Sequence, residues 1–310
     1  MRVSFRQPCV IVGVSCGVVW MAGSAAAQSV DRALYASVLD KSGAPVTDLT
    51  EKDFVVRESN VSREVLRVSP ATEPIQIAVL VDNSQASDPF VADFRRGLSD
   101  FLKAIGDQHE VTLVGMGQRP TILVDYTRDR KRLDQGVTRL FAQAGSGAYL
   151  MDSISEIVQG LRRRESARRV LVVISTQGPE FSSRFSQQVL DELQQSGAIL
   201  EAFVLTARAA GDIDTSGTQR KLTPVDLSDQ NVREREMTLS EGAAMTGGRR
   251  EDLATSMALS SRLRDLAMEL NNQYRVVYAG PRALIPAESV EITVKRPELR
   301  VRATRVPPKP

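Results

Sequence analysis

Two uninterrupted apolar segments constrain the fold of this 310-residue chain more than any other feature. The first is IQIAVLV (75–81) and the second is VLVVIS (170–175). A strand composed almost entirely of apolar residues must be covered on both faces, as the parallel strands of α/β proteins are. Patterns typical of strands and helices alternate around these segments. The sequence therefore predicts an α/β fold with an open, doubly wound, mainly parallel sheet.

The helices of this fold are predicted from apolar residues that recur at helical spacing. After the first apolar strand, Asp88 as N-cap and Gly106 as terminator bound one such pattern. EVTLVGM and TILVDY predict a hairpin around the turn GQRP. Further helices are predicted at 133–141, 150–161, 185–197 and 259–270, and further strands at 199–205 (ILEAFVL) and 274–279 (YRVVYA). The polar stretch from Ala210 to Glu236 lacks periodicity and is predicted to be a surface excursion.

The amino terminus has the pattern of a secretory leader. Arg2 and Arg6 precede an apolar run from Val10 to Ala22, and small residues extend to Ala27. This pattern predicts a cleaved signal peptide at residues 1–27, with a retained signal anchor as the alternative. The run is too short for a membrane span, and no span is expected in the rest of the chain.

Removal of this leader changes the composition of the chain. Both cysteines, Cys9 and Cys16, lie within it, so the mature chain would have no disulfide and no thiolate site. Loss of Arg2 and Arg6 lowers the 40 basic residues to 38, equal to the 38 acidic residues, which gives no general attraction to nucleic acid. An exported chain without cysteine is typical of a bacterial secreted or periplasmic protein.

Short strand patterns occupy both ends of the mature chain. In the N-terminal β segment (28–72), the strands LYASVL, FVVRE and EVLRV are separated by turn residues. In the C-terminal segment (284–310), VEITV and LRVRA flank a Lys-Arg-Pro-Glu turn and predict a hairpin. Each group is too small to stand alone. We therefore expect them to pair into one small β domain beside the α/β domain (73–283).

Other polar features have ordinary structural interpretations. The one histidine, His109, is predicted to be an exposed turn residue. The basic clusters RDRKR (128–132) and RRRESARR (162–169) are interpreted as solvated connections, with an acidic partner or an anionic lipid surface as the alternative. No nucleophile elbow, phosphate loop or zinc-binding helix motif is present.

The loops after the two apolar strands are where ligands bind in open α/β sheets. Asp82 and Ser84 follow the first strand, and Thr176-Gln177-Gly178 follow the second. With the strand order, these residues resemble the von Willebrand factor A domain. Longer matches extend the resemblance to a secreted bacterial group, the von Willebrand factor A-related proteins abundant in acidobacteria. These matches are DKSGAPVTDLTEKDFVVRES (40–59), MTGGR (245–249), LRDLAMELNNQYRVVY (263–278) and VEITVKRPELRVRATR (290–305).

The resemblance implies a metal-ion-dependent adhesion site with oxygen ligands from three loops. Of its five ligand positions, Asp82 and Ser84 carry the expected residues. The other three carry Ala86, Ala148 and Gln177 in place of serine, threonine and aspartate. Methyl groups cannot coordinate a hard divalent cation. We therefore predict a degenerate site without a cofactor, with weak Mg²⁺ or Ca²⁺ binding as the alternative.

The function expected from this resemblance is that of an exported, non-enzymatic interaction or adhesion module. Its partner would be a protein or a cell-envelope component, bound through the loops after residues 81, 145 and 175. A divalent-cation-dependent adhesin with an altered site is one alternative. A hydrolase on the same fold is another, although no base accompanies the acids and hydroxyls of these loops.

Overall fold

The computed structural model describes residues 29–164, 166–206, 229–282 and 289–304. The predicted leader (1–27) and most of the polar stretch from Ala210 to Glu236 lie outside these ranges. The strands are β1 (Ser29–Leu39), β2 (Phe54–Glu58), β3 (Val61–Arg63), β4 (Val65–Pro70), β5 (Ile75–Val81), β6 (Glu110–Gly115), β7 (Thr121–Thr127), β8 (Arg168–Thr176), β9 (Ile199–Leu205), β10 (Arg249–Leu253), β11 (Tyr274–Pro281), β12 (Val290–Val294) and β13 (Arg300–Ala303). The helices are α1 (Val91–Ile105), α2 (Arg130–Thr138), α3 (Leu150–Arg162), α4 (Ser186–Ser196), α5 (Asp229–Thr246) and α6 (Ala258–Asn271).

The central sheet has six strands in the order β10-β9-β8-β5-β6-β7. All neighbours are parallel except β7, which is antiparallel to β6. Apolar residues of α1, α2 and α6 cover one face, and those of α3, α4 and α5 cover the other. The two apolar segments form β5 and β8 at the centre of the sheet, which confirms the predicted fold class.

The remaining strands form two small sheets that pack face to face. One has the order β13-β1-β11-β4 and the other β12-β2-β3. Between them lies an apolar core that includes Leu34, Phe54, Val276, Tyr278 and Ile292. Strands from both ends of the chain therefore share one core, which neither end could bury alone.

Two predictions about strand pairing are wrong. YRVVYA was assigned to the α/β domain (73–283), but it forms β11, which pairs with β1 and β4 in a small sheet. The C-terminal segment (284–310) was expected to form a hairpin, but β12 pairs with β2 whereas β13 pairs with β1. Apolar patterns identify the buried faces of a strand, but they do not identify its neighbour.

Several local predictions also differ from the structure. Strands β3 and β10 were not predicted, and residues 229–236 of the polar stretch begin helix α5. Asp88 is not the N-cap of α1, because the chain leaves β5 through a 3₁₀ segment (Gln85–Phe90) and the α-helix begins at Val91. Phe141 lies beyond the end of α2 and is exposed.

His109 and Arg168 were predicted to be solvated but are buried at the amino end of the sheet. The Nδ1 atom of His109 accepts a hydrogen bond from the backbone N–H of Ile75 at 3.1 Å. Arg168 donates hydrogen bonds to the backbone oxygens of Glu73 and Leu270, both at 2.7 Å. Backbone groups at the ends of strands and helices thus provide partners for polar side chains that a hydropathy pattern assigns to the surface.

An ion-pair cluster joins the β domain to the central sheet. Arg302 of β13 contacts Glu201 of β9, and its Nη1 atom lies 2.6 Å from a carboxylate oxygen of Glu269 in α6. Arg249 of β10 lies 3.5 Å from Glu201 and 3.6 Å from Glu269. Both carboxylates are buried, so each depends on the arginines for charge compensation.

We predict that Arg302→Leu lowers the free energy of unfolding by about 3–5 kcal/mol, because it leaves two buried carboxylates with one arginine between them. Arg300→Leu, on the same strand but exposed, is the matched control and should change stability by less than about 0.5 kcal/mol. Urea denaturation measures both values. Equal effects of the two substitutions would show that the ion-pair cluster does not stabilise the contact between the β domain and the central sheet.

Candidate functional site

The candidate site lies between β5 and β8, where the order of the strands in the sheet reverses. Strands β6 and β7 follow on one side of β5, and β8, β9 and β10 lie on the other. Strand β5 is flanked by β8 on one side and by β6 on the other. Its next residue is Asp82, and Thr176 ends β8. The backbone N–H of Asp82 donates to the carbonyl oxygen of Ile174 at 2.8 Å, so the two loops begin side by side. This position is a topological switch point, the usual ligand-binding crevice of an open α/β sheet.

The buried carboxylate of Asp82 accepts three hydrogen bonds from neighbouring residues. One oxygen accepts a hydrogen bond from the backbone N–H of Ser84 at 2.9 Å. The other accepts from the N–H of Thr176 at 3.1 Å and from its hydroxyl at 2.5 Å. Asp82 therefore links the loop after β5 to the end of β8.

Ser84 and Ala86 lie in the same loop as Asp82. Ser84 is buried, and in the described part of the chain its hydroxyl has no hydrogen-bond partner. Ala86 packs against Gly178 so closely that a Cβ on that glycine would lie 2.4 Å from the Cβ of Ala86. The methyl group of Ala86 thus occupies the space between the two loops.

The remaining two predicted positions supply no ligand oriented toward Asp82. Ala148 is buried and serves as a backbone bridge, with its N–H bonded to the oxygen of Pro179 and its oxygen to the N–H of Phe181, both at 2.8 Å. Gln177 is exposed at the tip of the loop. Within the described ranges, no group of three or more histidine, cysteine, aspartate or glutamate side chains is arranged to hold a metal ion.

Further hydrogen bonds hold the loops of the site together. The side-chain oxygen of Asn83 accepts from the N–H of Gly117 at 2.7 Å, and its backbone oxygen accepts from the N–H of Gln143 at 2.8 Å. The side-chain oxygen of Gln85 accepts from the N–H of Gly145 at 2.9 Å. The loops after β5, β6 and α2 therefore form one connected surface with the loop after β8. We call this surface the loop platform (residues 82–90, 116–120, 139–149 and 177–185).

Glu180 is a buried residue of the platform that the sequence reasoning missed. Its carboxylate accepts hydrogen bonds from the N–H of Leu150 at 3.1 Å and from the N–H of Ser182 at 3.0 Å. It therefore lies at the amino end of α3, where the helix dipole favours a negative charge. Burial nevertheless raises the pKa of the Glu180 carboxyl to about 7, because the charged form loses its hydration and these hydrogen bonds offset only part of that loss.

Three aromatic side chains are exposed on the platform. Phe141 and Phe185 are 62% and 61% exposed, and Phe181 is 37% exposed. The guanidinium of Arg95 lies 4.3 Å from the centre of the Phe141 ring and donates to the backbone oxygen of Leu140. Exposed aromatic residues on an ordered surface are typical of protein-binding sites. In the described ranges, none of the helices has both the length and the apolar character needed to cross a bilayer.

We predict that Glu180 makes stability depend on pH. The folded chain binds this proton more tightly than the unfolded chain, whose carboxyl has the ordinary pKa of 4.5. The resulting stabilisation is complete below that pH and is lost as the pH rises through about 7, with a total change of about 3 kcal/mol. Glu180→Gln cannot ionise. Denaturation curves of the wild type should therefore show a stability loss relative to this variant across that interval, and parallel pH profiles would contradict the assignment.

Comparisons with known proteins agree with the architecture. No family model and no curated protein matches the sequence. Among solved structures, a von Willebrand factor type A protein from Catenulispora acidiphila is 12% identical with a TM-score of 0.51, over 84% of this chain and 73% of that one. BatB from Bacteroides thetaiotaomicron is 11% identical with a TM-score of 0.46, over 64% of this chain and 100% of that one.

The vWF domain of the type V pili tip protein Mfa5 from Porphyromonas gingivalis is 11% identical with a TM-score of 0.43, over 65% of this chain and 96% of that one. At such identities a structural likeness defines the fold and not the function. The first of these matches and the strand order of the central sheet agree: this chain has the fold of the von Willebrand factor A domain.

Proposed function

We propose that this chain is an exported, non-enzymatic interaction module whose loop platform binds a protein or cell-envelope partner without a bridging cation. The observation that carries the proposal is the hydrogen bonding of Asp82. Its carboxylate oxygens face the N–H groups of Ser84 and Thr176 and the hydroxyl of Thr176. These three hydrogen bonds occupy three of the roughly four lone-pair sites of a carboxylate, which leaves about one for a cation.

The substituted positions support the same conclusion. Ala86 fills the gap between the two loops with a methyl group, and Ala148 contributes only backbone bonds. Gln177 is exposed and uncharged. A degenerate metal site therefore accounts for the residues at these three positions.

The platform is suited to binding because its loops are already connected in the free chain. Hydrogen bonds of Asp82, Asn83 and Gln85 reach the neighbouring loops. Less conformational entropy is then lost when a partner binds. The exposed rings of Phe141, Phe181 and Phe185 supply apolar area of the kind that contributes most to protein–protein affinity.

The chemistry of the site also favours a non-enzymatic role. Asp82 and Thr176 bond to each other, and neither is accompanied by a histidine. His109 precedes β6 at the opposite end of the sheet, where it bonds to Ile75 and Asn271. A strand the length of β5 separates the two ends by about 20 Å. His109 therefore cannot serve as the base of a hydrolase at this site.

The unpartnered hydroxyl of Ser84 favours one alternative, a cation-dependent adhesin with an altered site. A buried hydroxyl without a partner is costly, and an ion or a water molecule at this position would relieve the cost. The two proposals differ in a measurable way, because a ligand bound only by the folded state raises its stability.

We predict that thermal unfolding is unchanged when millimolar Mg²⁺, Mn²⁺ or Ca²⁺ replaces a chelator. Asp82→Ala should lower the melting temperature equally with and without cation, because it leaves buried N–H groups without acceptors at about 1–3 kcal/mol each. Asp88→Ala, at an exposed position of the same loop, is the control with little expected effect. A cation-induced rise of several degrees that Asp82→Ala abolishes would establish the adhesin alternative.

We also predict that partner binding depends on the aromatic side chains of the platform. Phe181→Ser with Phe185→Ser should weaken capture of the partner at least about tenfold, because buried aromatic anchors dominate binding energy. Val61→Ser with Leu66→Ser removes exposed apolar residues from the β domain and should leave capture unchanged. Quantitative crosslinking to cell-envelope fractions, in chelator, measures both. Loss of capture only in the β-domain variant would place the binding site elsewhere. Wild-type capture that appears only when Mg²⁺ or Ca²⁺ replaces the chelator would restore the role of a cation.

A further inference from the structure

The fold brings the two basic clusters of the sequence to one end of the central sheet. Arg128 follows the last residue of β7, and Arg130, Lys131 and Arg132 form the first turn of α2. Arg162 and Arg163 lie at the carboxyl end of α3. The guanidinium of Arg164 lies 4.1 Å from the centre of the Tyr126 ring near the end of β7. This contact connects the cluster after α3 with the cluster that follows β7. This end is opposite the loop platform.

Most of these charges take no part in holding the fold together. Arg128, Lys131, Arg132, Arg162 and Arg163 are exposed, and none has an ion pair with a residue in the described ranges. We call these five residues the basic face. One of them, Arg162, donates to the neutral side-chain oxygen of Gln195 at 2.9 Å.

Four acidic residues of the same region already contact backbone N–H groups or arginines. One carboxylate oxygen of Asp129 accepts from the N–H groups of Lys131 and Arg132, as the N-cap of α2. Asp134 pairs with Arg130 at 2.9 Å. Glu110 and Asp125 lie 4.0 Å and 3.9 Å from Arg164. The basic face therefore keeps a local excess of positive charge, although the chain as a whole is almost neutral.

The basic side chains in the first turn of α2 lie where the helix dipole disfavours positive charge. The amino end of a helix carries a partial positive charge, which favours acidic and disfavours basic side chains. Arg130 pairs with Asp134 and donates to the backbone oxygen of Ser99 at 3.0 Å. The Asp129 carboxylate caps the same turn, but the side chains of Lys131 and Arg132 have no ion pair within the described ranges. The side chains of these two cations are therefore available to an external anion.

The composition of the basic face indicates which kind of anionic partner it binds. None of the exposed large apolar side chains of the described residues belongs to it, so it lacks the apolar centre of a protein–protein interface. The ring of Tyr126 is covered by Arg164 and cannot stack on a nucleic-acid base. Separate, solvated cations at one end of the sheet suit an extended surface of negative charge.

We propose that the basic face docks the chain on an anionic phospholipid membrane surface. Attraction between several solvated cations and acidic headgroups holds the amino end of the central sheet near the bilayer. The loop platform, at the opposite end of the sheet, then faces away from the lipid and stays accessible to a partner. This docking does not depend on the identity of that partner or on the absence of a cation.

Co-sedimentation with vesicles tests the proposal, with the chain from residue 28 onward, which contains every described element. The wild type should bind vesicles of phosphatidylglycerol and phosphatidylcholine and should not bind phosphatidylcholine alone. About 1 M salt, which shortens the Debye length to about 3 Å, should release it. Arg132→Glu with Arg163→Glu should weaken binding at least about tenfold. Arg264→Glu with Lys52→Glu makes the same charge change at exposed positions outside the basic face and should bind like the wild type.

Three outcomes would overturn the proposal. Equal binding to neutral and acidic vesicles would mean that apolar contacts hold the chain on the membrane. Equal losses in the two double variants would mean that only net charge matters. Absence of vesicle binding together with salt-sensitive binding to polyglutamate would mean that the basic face recognises an acidic protein. Equal melting temperatures of the two variants show that both remain folded and that the comparison is one of surface charge.

Discussion

The side-by-side pairing of β5 and β8 is the constraint on which the rest of the structure depends. The two strands are far apart in the chain, yet they are parallel neighbours with register partners from Ile75 and Arg168 to Val81 and Ile174. Their apolar residues need helices on both faces of the sheet, and this need generates the layered architecture. Their pairing also brings the two following loops into contact. The site exists because two buried strands end at the same level, and the Asp82 carboxylate then joins the loops that this arrangement places together.

Much of the fold could be predicted from the sequence because buried strands and amphipathic helices leave periodic patterns. The two apolar segments gave the centre of the sheet, and Gly106 marked the end of α1, where it adopts a positive φ of 81°. Pairing could not be predicted in the same way, because β11 is apolar enough for either sheet. At the site, Asp82 was recognisable from its place after a strand, whereas the role of Thr176 depends on strand register and that of Glu180 on the position of α3. Neither role leaves a pattern in the local sequence.

The two ends of the central sheet differ in their chemistry. At the carboxyl ends of the strands, several polar groups form hydrogen bonds between the loops. The residues exposed there are mostly uncharged and include three aromatic rings. At the amino ends, β8, β9 and β10 meet the β domain through buried arginines and carboxylates, such as Arg168 and Glu201. The β6 and β7 side of that same end carries the solvated arginines and lysine. The surface at one end of the sheet is thus preorganised and mostly uncharged, whereas the other end is charged and adjoins the β domain.

The small β domain has a consequence for the order of folding. In the described chain, β1 pairs only with β11 and β13, both of which lie more than two hundred residues after it. During synthesis β1 therefore has no strand partner until almost the whole sequence has emerged, whereas the central sheet can form earlier. Contacts of such separation are slow to form because the loop that they close is long. Strand β1 can therefore join its sheet only after β11 has been made, so a product truncated before β11 keeps β1 without a strand partner.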